Sequence, residues 1–353
     1  MNVFNRLGFA ASVRATATAL LSLLAVCATP IAQAAAVVGT ATVAVKDTVR
    51  NRAIDTEIWF QAKSGTQTED FSAVLPIAPI AIAPNAQPAP DFKKRPLIVI
   101  SHGNWGTRFS QGWIAMRLVQ AGYVVISPSH PGTMNDDRTT AGAVRLWDRS
   151  QDVRVALSAV LSDPRWSSLI DPERIGFWGH SFGGWTGVSL AGGRYDFKQL
   201  LAACQAQRPQ DLYCKSTTTD DLSGISMTGS DADYTDPRFK AFYLTASGPG
   251  PGMTKASLQQ IRVPIFFDTA EFDDVLAPGI NSTFLAATIP EAKEVIRPVG
   301  HFVYVPICKP FIGRAVASLI CTDPKGVERA DVHQKVAAET LAFFDKQFAT
   351  ARP

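Results

Sequence analysis

Two unbroken apolar runs, Leu97-Ile98-Val99-Ile100 and Tyr123-Val124-Val125-Ile126, flank a segment whose apolar residues recur every three or four positions. Short continuous runs mark strands buried on both faces, and the three-to-four spacing marks helix. The pattern predicts strands at 96–101 and 123–127 with a helix at 111–120 between them. It continues with a helix at 143–161, a strand at 174–178 and a helix at 182–191. Strands at 242–245, 264–267 and 294–297 follow. The last predicted element is an amphipathic helix at 331–348, capped by Asp331, with Val332, Val336, Leu341, Phe344 and Phe348 on its apolar side. Before the first buried run, residues 37–45 and 54–62 alternate apolar and polar, as half-buried antiparallel strands do. Residues 64–96 are rich in Pro, Ala and polar residues and read as a long surface loop. Residues 200–239 are long, polar and little patterned. Strands alternating with helices imply an α/β fold whose mostly parallel sheet is covered on both faces, with antiparallel strands at its start.

Composition narrows this picture. The chain has 353 residues, 46% hydrophobic and 18% charged, which supplies a large core and excludes a disordered chain. No fixed-period repeat is visible. The first 34 residues have the pattern of a secretory signal peptide. Arg6 and Arg14 give a basic start, Leu20, Leu21, Leu23 and Leu24 centre an apolar stretch, and Ala32-Gln33-Ala34 gives a small-x-small cleavage signal. That stretch is too short and too rich in Ser and Thr to read as a membrane anchor. A lipid-modified Cys27 is an alternative, weakened by Val26 where a small residue is expected. Export to the periplasm or the exterior is the expectation, with residues 35–353 forming one domain. Loss of Arg6 and Arg14 lowers the formal net charge from +3 to +1, too near neutral to suggest nucleic acid as a partner. No other segment reads as membrane-spanning.

Cysteine usage agrees with export. Four remain after residue 34, and in an oxidising compartment an even number suggests two disulfides. Of the three possible pairings, the close-spaced Cys204–Cys214 and Cys308–Cys321 are expected. No CxxC spacing or nearby histidine suggests zinc, and no metal is expected.

The chemistry centres on Gly179-His180-Ser181-Phe182-Gly183, a G-x-S-x-G sequence between a predicted strand and a predicted helix. That context turns a common pattern into a candidate nucleophile: a sharp turn lifts the hydroxyl out at the carboxyl edge of the sheet. A serine hydroxyl is a weak nucleophile and needs a base oriented by an acid, which in this architecture follow in the order acid, then histidine. His301, after the strand ending near Arg297, is the one histidine that fits. His102, His130 and His180 precede the serine and are expected to shape turns, and His333 is expected to be a solvated helix histidine. Asp268, Glu271, Asp273 and Asp274 compete as the acid after the strand at 264–267. Asp273 has the loop position expected to reach a histidine, with Asp274 second. The oxyanion needs two donors. The backbone N–H groups of Phe182 and of Asn104 in His102-Gly103-Asn104-Trp105-Gly106 are the candidates, with Trp105 as the alternate.

These stretches resemble the α/β-hydrolase superfamily, in particular a branch described as predicted dienelactone hydrolases and related to platelet-activating-factor acetylhydrolase. The similar segments are PLIVISHGNWG, GYVVISPSHPG, LWDRSQDVRVAL, RIGFWGHSFGGWTGVSLAG, IRVPIFFDTAEFDDVLAP, and GHFVYVPIC with ICTDPKGVERADVHQKV. The resemblance implies Ser181, Asp273 and His301 as a catalytic triad, with Phe182 and Asn104 as oxyanion donors. The sequence departs from it in three places. Ala270 stands where the acid loop of the family has glycine. Dienelactone hydrolases proper use a cysteine nucleophile. The earlier acid position of the acetylhydrolase corresponds to Ser247-Gly248-Pro249-Gly250, which carries no acid.

The function expected is a secreted serine esterase acting on carboxylic esters, carboxylesterase-like, lipase-like or acetylhydrolase-like, without a cofactor. Its partner is a small-molecule or lipid ester. A serine peptidase or amidase using the same triad is the alternative, and a non-catalytic binding relative is disfavoured by the complete triad. Residues 200–239 are expected to form a lid or wall of the substrate pocket, and Cys308–Cys321 to fix the loop carrying His301. Trp105, Trp113, Trp147 and Trp185 are candidates for the acyl pocket, with core packing expected for at least two.

Overall fold

A computed structural model describes residues 36–72, 75–90, 93–207 and 211–350. The stretch read as a signal peptide lies outside the described residues. The chain opens with β1 (Val38–Val43), the short pair β2 (Lys46–Asp47) and β3 (Arg52–Ala53), and β4 (Thr56–Gln61). β5 (Glu69–Phe71) and β6 (Ile80–Pro84) follow, then β7 (Arg95–Ser101), α1 (Gly112–Gln120) and β8 (Val124–Pro128). After α2 (Thr140–Val144), α3 (Trp147–Ser162) and α4 (Pro164–Ser167) come β9 (Ile170–His180) and α5 (Phe182–Leu190). The rest is α6 (Phe197–Gln207), α7 (Leu212–Thr219), β10 (Phe239–Thr245), α8 (Lys255–Leu258), β11 (Ile265–Ala270), α9 (Ser282–Thr288), β12 (Lys293–Arg297), α10 (Ile312–Val316), α11 (Ser318–Cys321) and α12 (Arg329–Thr350).

Ten strands form one sheet in the order β12-β11-β10-β9-β7-β8-β4-β1-β6-β5. From β8 to β12 all neighbours run parallel. β4 is antiparallel to both β8 and β1, β1 pairs parallel with β6, and β5 antiparallel with β6. This is the α/β-hydrolase fold.

The unbroken apolar runs follow from burial on both sides. In β7, Leu97 and Val99 face the larger core with residues of α3 and α5, while Ile98 and Ile100 face the second core with residues of α1 and α12. In β9, Phe177 and Trp178 divide the same way. The parallel arrangement brings the carboxyl ends of β7, β9, β11 and β12 to one edge of the sheet, where an open α/β sheet places its site.

Several predicted elements shift. The stretch read as a surface loop contains the hairpin β5–β6, which extends the sheet through β1. Its Pro and Ala content hid the last two strands of the sheet, and Pro84 closes β6, at a strand end where a missing donor is tolerated. The helix predicted at 143–161 is two helices that break at Arg145 and Leu146. The region 200–239 is not structureless at its start, since α6 extends to Gln207 and α7 follows. Asp331 is not the cap of the last helix: that helix begins at Arg329, and Asp331 lies in its first turn with its N–H donating to the Glu328 carbonyl (3.0 Å).

Both expected disulfides are present, Cys204–Cys214 and Cys308–Cys321. No helix among the described residues is long and apolar enough to cross a membrane.

Candidate active site

Ser181 sits between the end of β9 and the start of α5 with φ 54° and ψ −118°. A serine rarely adopts this conformation, and the surroundings impose it. The Ser181 N–H donates to the Thr245 carbonyl (3.0 Å), and its carbonyl accepts the Trp185 N–H (3.1 Å). The flanking glycines are required by space. A Cβ on Gly179 would lie 2.3 Å from the Gly183 carbonyl oxygen, and one on Gly183 would lie 1.9 Å from the Ser101 carbonyl oxygen.

His301 opens a single 3₁₀ turn, His301–Tyr304, four residues beyond the end of β12. Its Nδ1 lies 2.7 Å from Asp273 Oδ2. The other carboxylate oxygen of Asp273 accepts the N–H groups of Val275 (2.9 Å) and Leu276 (2.7 Å), which fixes the side chain. A proton on Nδ1 donated to Asp273 leaves Nε2 as the basic nitrogen. Ser181 and His301 line one cavity of about 860 Å³, together with Gly103, Asn104 and Phe182.

The other three acids after β11 are placed elsewhere. Asp268 is fully buried and accepts from Tyr243 Oη (2.8 Å), Tyr304 Oη (2.8 Å) and Arg297 Nε (2.7 Å). Burial raises its pKa against the lowering effect of Arg297. Glu271 and Asp274 are exposed.

In the loop after β7 the two candidate donors differ. The Trp105 N–H donates to the Thr133 carbonyl (2.8 Å) and is therefore occupied. The N–H groups of Asn104 and Phe182 have no partner among the described residues. Gly103 lets this loop approach the serine, since a Cβ there would lie 3.1 Å from the Ser181 Cβ.

The histidines ahead of the serine are buried and structural. His130 bridges Ser101 Oγ (2.9 Å) and Asp152 (3.2 Å), and His102 Nδ1 contacts the Gly103 carbonyl (2.7 Å). His180 Nε2 donates to the His301 carbonyl (3.2 Å), so the residue before Ser181 supports the backbone of His301. Burial pushes the pKa of each well down, with the Arg149 charge adding to the effect on His102 and His130. His333 is not solvated, as its helical position had suggested. It is buried, stacks on Trp113 (ring centroids 3.8 Å apart) and donates from Nε2 to the Val303 carbonyl (2.8 Å).

Of the four tryptophans, Trp105 lines the cavity, whereas Trp147 and Trp185 belong to the core. Trp113 packs against the second core and donates to the Tyr304 carbonyl (2.9 Å). Part of the cavity wall comes from α7 through Leu212, Tyr213 and Thr217, and from the disulfide-closed segment through Val316, Leu319 and Ile320.

One residue beside the site gave no sequence signal. Arg149 of α3 is fully buried, and burial together with the Arg52 charge pushes its pKa down to about 9. It reads as one more polar residue of an amphipathic helix, and only the packed structure shows where it points.

Residues 83–212 match the profile of the dienelactone hydrolase family. The matched stretch holds β7, the Asn104 loop and Ser181, and ends before Asp273 and His301. No curated protein matches the sequence. Among solved structures, a ferulic acid esterase from Streptomyces cinnamoneus superposes with a TM-score of 0.60 at 18% identity, covering 89% of this chain and 91% of that one. The chain has the α/β-hydrolase fold, and its residues 83–212 are similar to the dienelactone hydrolase family.

Proposed function

We propose that the protein is an exported serine esterase that hydrolyses carboxylic esters through an acyl-enzyme. Ser181 is the nucleophile, His301 the base and Asp273 the acid that orients it. The observation that carries this reading is the 2.7 Å contact of Asp273 with His301 Nδ1, at a histidine that shares one cavity with a serine on a strained strand-to-helix turn. His301 Nε2 takes the Ser181 proton as Oγ attacks the ester carbonyl. The Asn104 and Phe182 amides hold the oxyanion, and the N-terminal end of α5 favours the same negative charge. The tetrahedral intermediate collapses, the C–O bond to the alcohol breaks, and His301 returns the proton to the leaving oxygen. Water then attacks the acyl-enzyme by the same route and frees Ser181.

The cavity supports an apolar ester. Its volume lies in the range of small-molecule sites, and many of its lining side chains are aliphatic or aromatic. The fold relative is an esterase by name, which supports the reaction class. Leu212, Tyr213, Ser216, Thr217 and Asp220 line the cavity, which supports the reading of the 200–239 segment as a wall of the pocket. The two disulfides support export.

The test is initial rates of residues 35–353 on p-nitrophenyl esters from acetyl to palmitoyl, beside Ser181→Ala. Turnover by the native protein and a loss of about 10⁴–10⁶-fold in the variant are expected. Equal inactivity of both proteins on esters, with turnover of matched anilides, would replace the esterase reading with an amidase.

A further inference from the structure

Arg149 has an unusual set of partners for a buried charge. No carboxylate lies within ion-pairing distance of it among the described residues. Asp152, about one turn along the same helix, is committed to Arg50 (2.8 Å), Arg52 (2.8 Å) and His130 (3.2 Å). The guanidinium instead donates to four neutral oxygens. Nη2 donates to the His102 carbonyl and to Ser101 Oγ (3.3 Å), Nη1 to Thr133 Oγ1 (2.5 Å), and Nε to Thr186 Oγ1 (3.3 Å).

Each acceptor belongs to a segment that bears on the two amides assigned to the oxyanion. His102 lies two residues before Asn104 in the loop after β7. Thr133 accepts the Trp105 N–H through its carbonyl and so holds that loop from its far side. Thr186 lies one turn along α5 from Phe182, and its hydroxyl donates to the Phe182 carbonyl (2.8 Å). One planar fork thus ties the strand end, the Asn104 loop and the first turn of α5 to a single point on α3.

We infer that Arg149 is a positioning residue that sets the separation and direction of the Asn104 and Phe182 amides, so that both point at one oxygen. The inference rests on the reading of Ser181 as nucleophile, but its structural half stands apart from that reading. The fork geometry matters as much as the charge. Lysine carries the charge on one nitrogen at the end of a flexible stem and cannot reach four acceptors spread over β7, two loops and α5. Interactions that act only on the developing oxyanion change kcat and leave KM little altered.

The experiment uses residues 35–353 with Arg149→Met and Arg149→Lys. Two quantities are read on each folded protein: kcat and KM for the best p-nitrophenyl ester, and amide hydrogen exchange across residues 102–106 and 182–186. Arg149→Met is expected to lower kcat by about 10²–10³-fold, the loss typical of one missing oxyanion donor. KM should change less than about threefold. Exchange should accelerate in 102–106 while the β9 and β10 amides keep their protection. Arg149→Lys should fall between the two, and it carries the test if the methionine variant does not fold. Unchanged exchange in 102–106 with kcat within about twofold of native overturns the inference. Faster exchange in that loop, in a protein whose native form hydrolyses no ester, sinks the esterase reading and leaves the positioning role supported.

Discussion

The carboxylate of Asp273 contacts Nδ1 of His301 at 2.7 Å, and both side chains are almost fully buried. Its neighbour Asp274 is exposed and makes no such contact. Asp273→Asn keeps the shape, but its amide can present a donor to Nδ1 and hold the ring in the wrong tautomer. A fall in kcat of about 10³–10⁴-fold is expected. Asp274→Asn should stay within about twofold of native. Parallel ester kinetics on the two variants check this, and a larger loss at Asp274 would reassign the acid.

Asp152 concentrates the buried charge of the molecule. Its fully buried carboxylate is shared by Arg50, Arg52 and His130. Asp152→Ala leaves two arginines facing each other without it, and a loss of about 3–5 kcal/mol in unfolding free energy is expected from denaturant titration. Asp233→Ala, which breaks an exposed pair with Arg194 (2.8 Å), should shift stability by less than about 1 kcal/mol.

Acid should destabilise the fold through its buried histidines. The His333 pKa falls from 6.5 to about 4, chiefly because burial disfavours the charged ring. The unfolded chain therefore takes up the proton first as pH drops. His333 contributes its full stability above pH 6.5 and loses it between 6.5 and about 4, a change of about 3 kcal/mol. His102, His130 and His180 are shifted the same way. Melting temperatures from pH 7 to pH 4 should decline, and His333→Gln should flatten part of the decline. An identical slope in that variant would remove His333 from the account.

The segment closed by Cys308–Cys321 supplies Val316, Leu319 and Ile320 to the cavity but none of the proposed reacting groups. Replacing both cysteines with alanine should raise KM for long-chain esters several-fold while kcat for the acetyl ester stays near native. A matched pair of acetyl and palmitoyl kinetics measures the difference.

Much of this fold is legible in the sequence alone. Strands buried on both faces announce themselves as unbroken apolar runs, so β7, β8, β9 and β11 were placed to within a few residues. The order serine, acid, histidine along such strands then pointed to Ser181, Asp273 and His301, which the structure brings to one edge of the sheet. Other features depend on contacts distant in sequence. β5 is a three-residue edge strand with two acids, and the apolar run of β6 is flanked by Pro79 and Pro84, so neither reads as a strand. His333 looks like any polar helical residue until Trp113 stacks on it. Arg149 carries a charge into a core that no periodicity reveals, because its four acceptors come from β7, two loops and α5.

The disulfides have a further consequence for how such a protein can change. The groups proposed to break the ester hang from the ends of β9, β11 and β12, whereas much of the rim that meets the rest of the substrate lies within or beside two covalently closed loops, 204–214 and 308–321. Each loop begins and ends at its own staple. Its interior can be exchanged, lengthened or shortened as a cassette, with the bond holding the splice points in register. On the proposed reading, the substrate-facing rim and the reacting groups are carried by separate parts of this chain, and loop grafting between the cysteines is expected to alter substrate range.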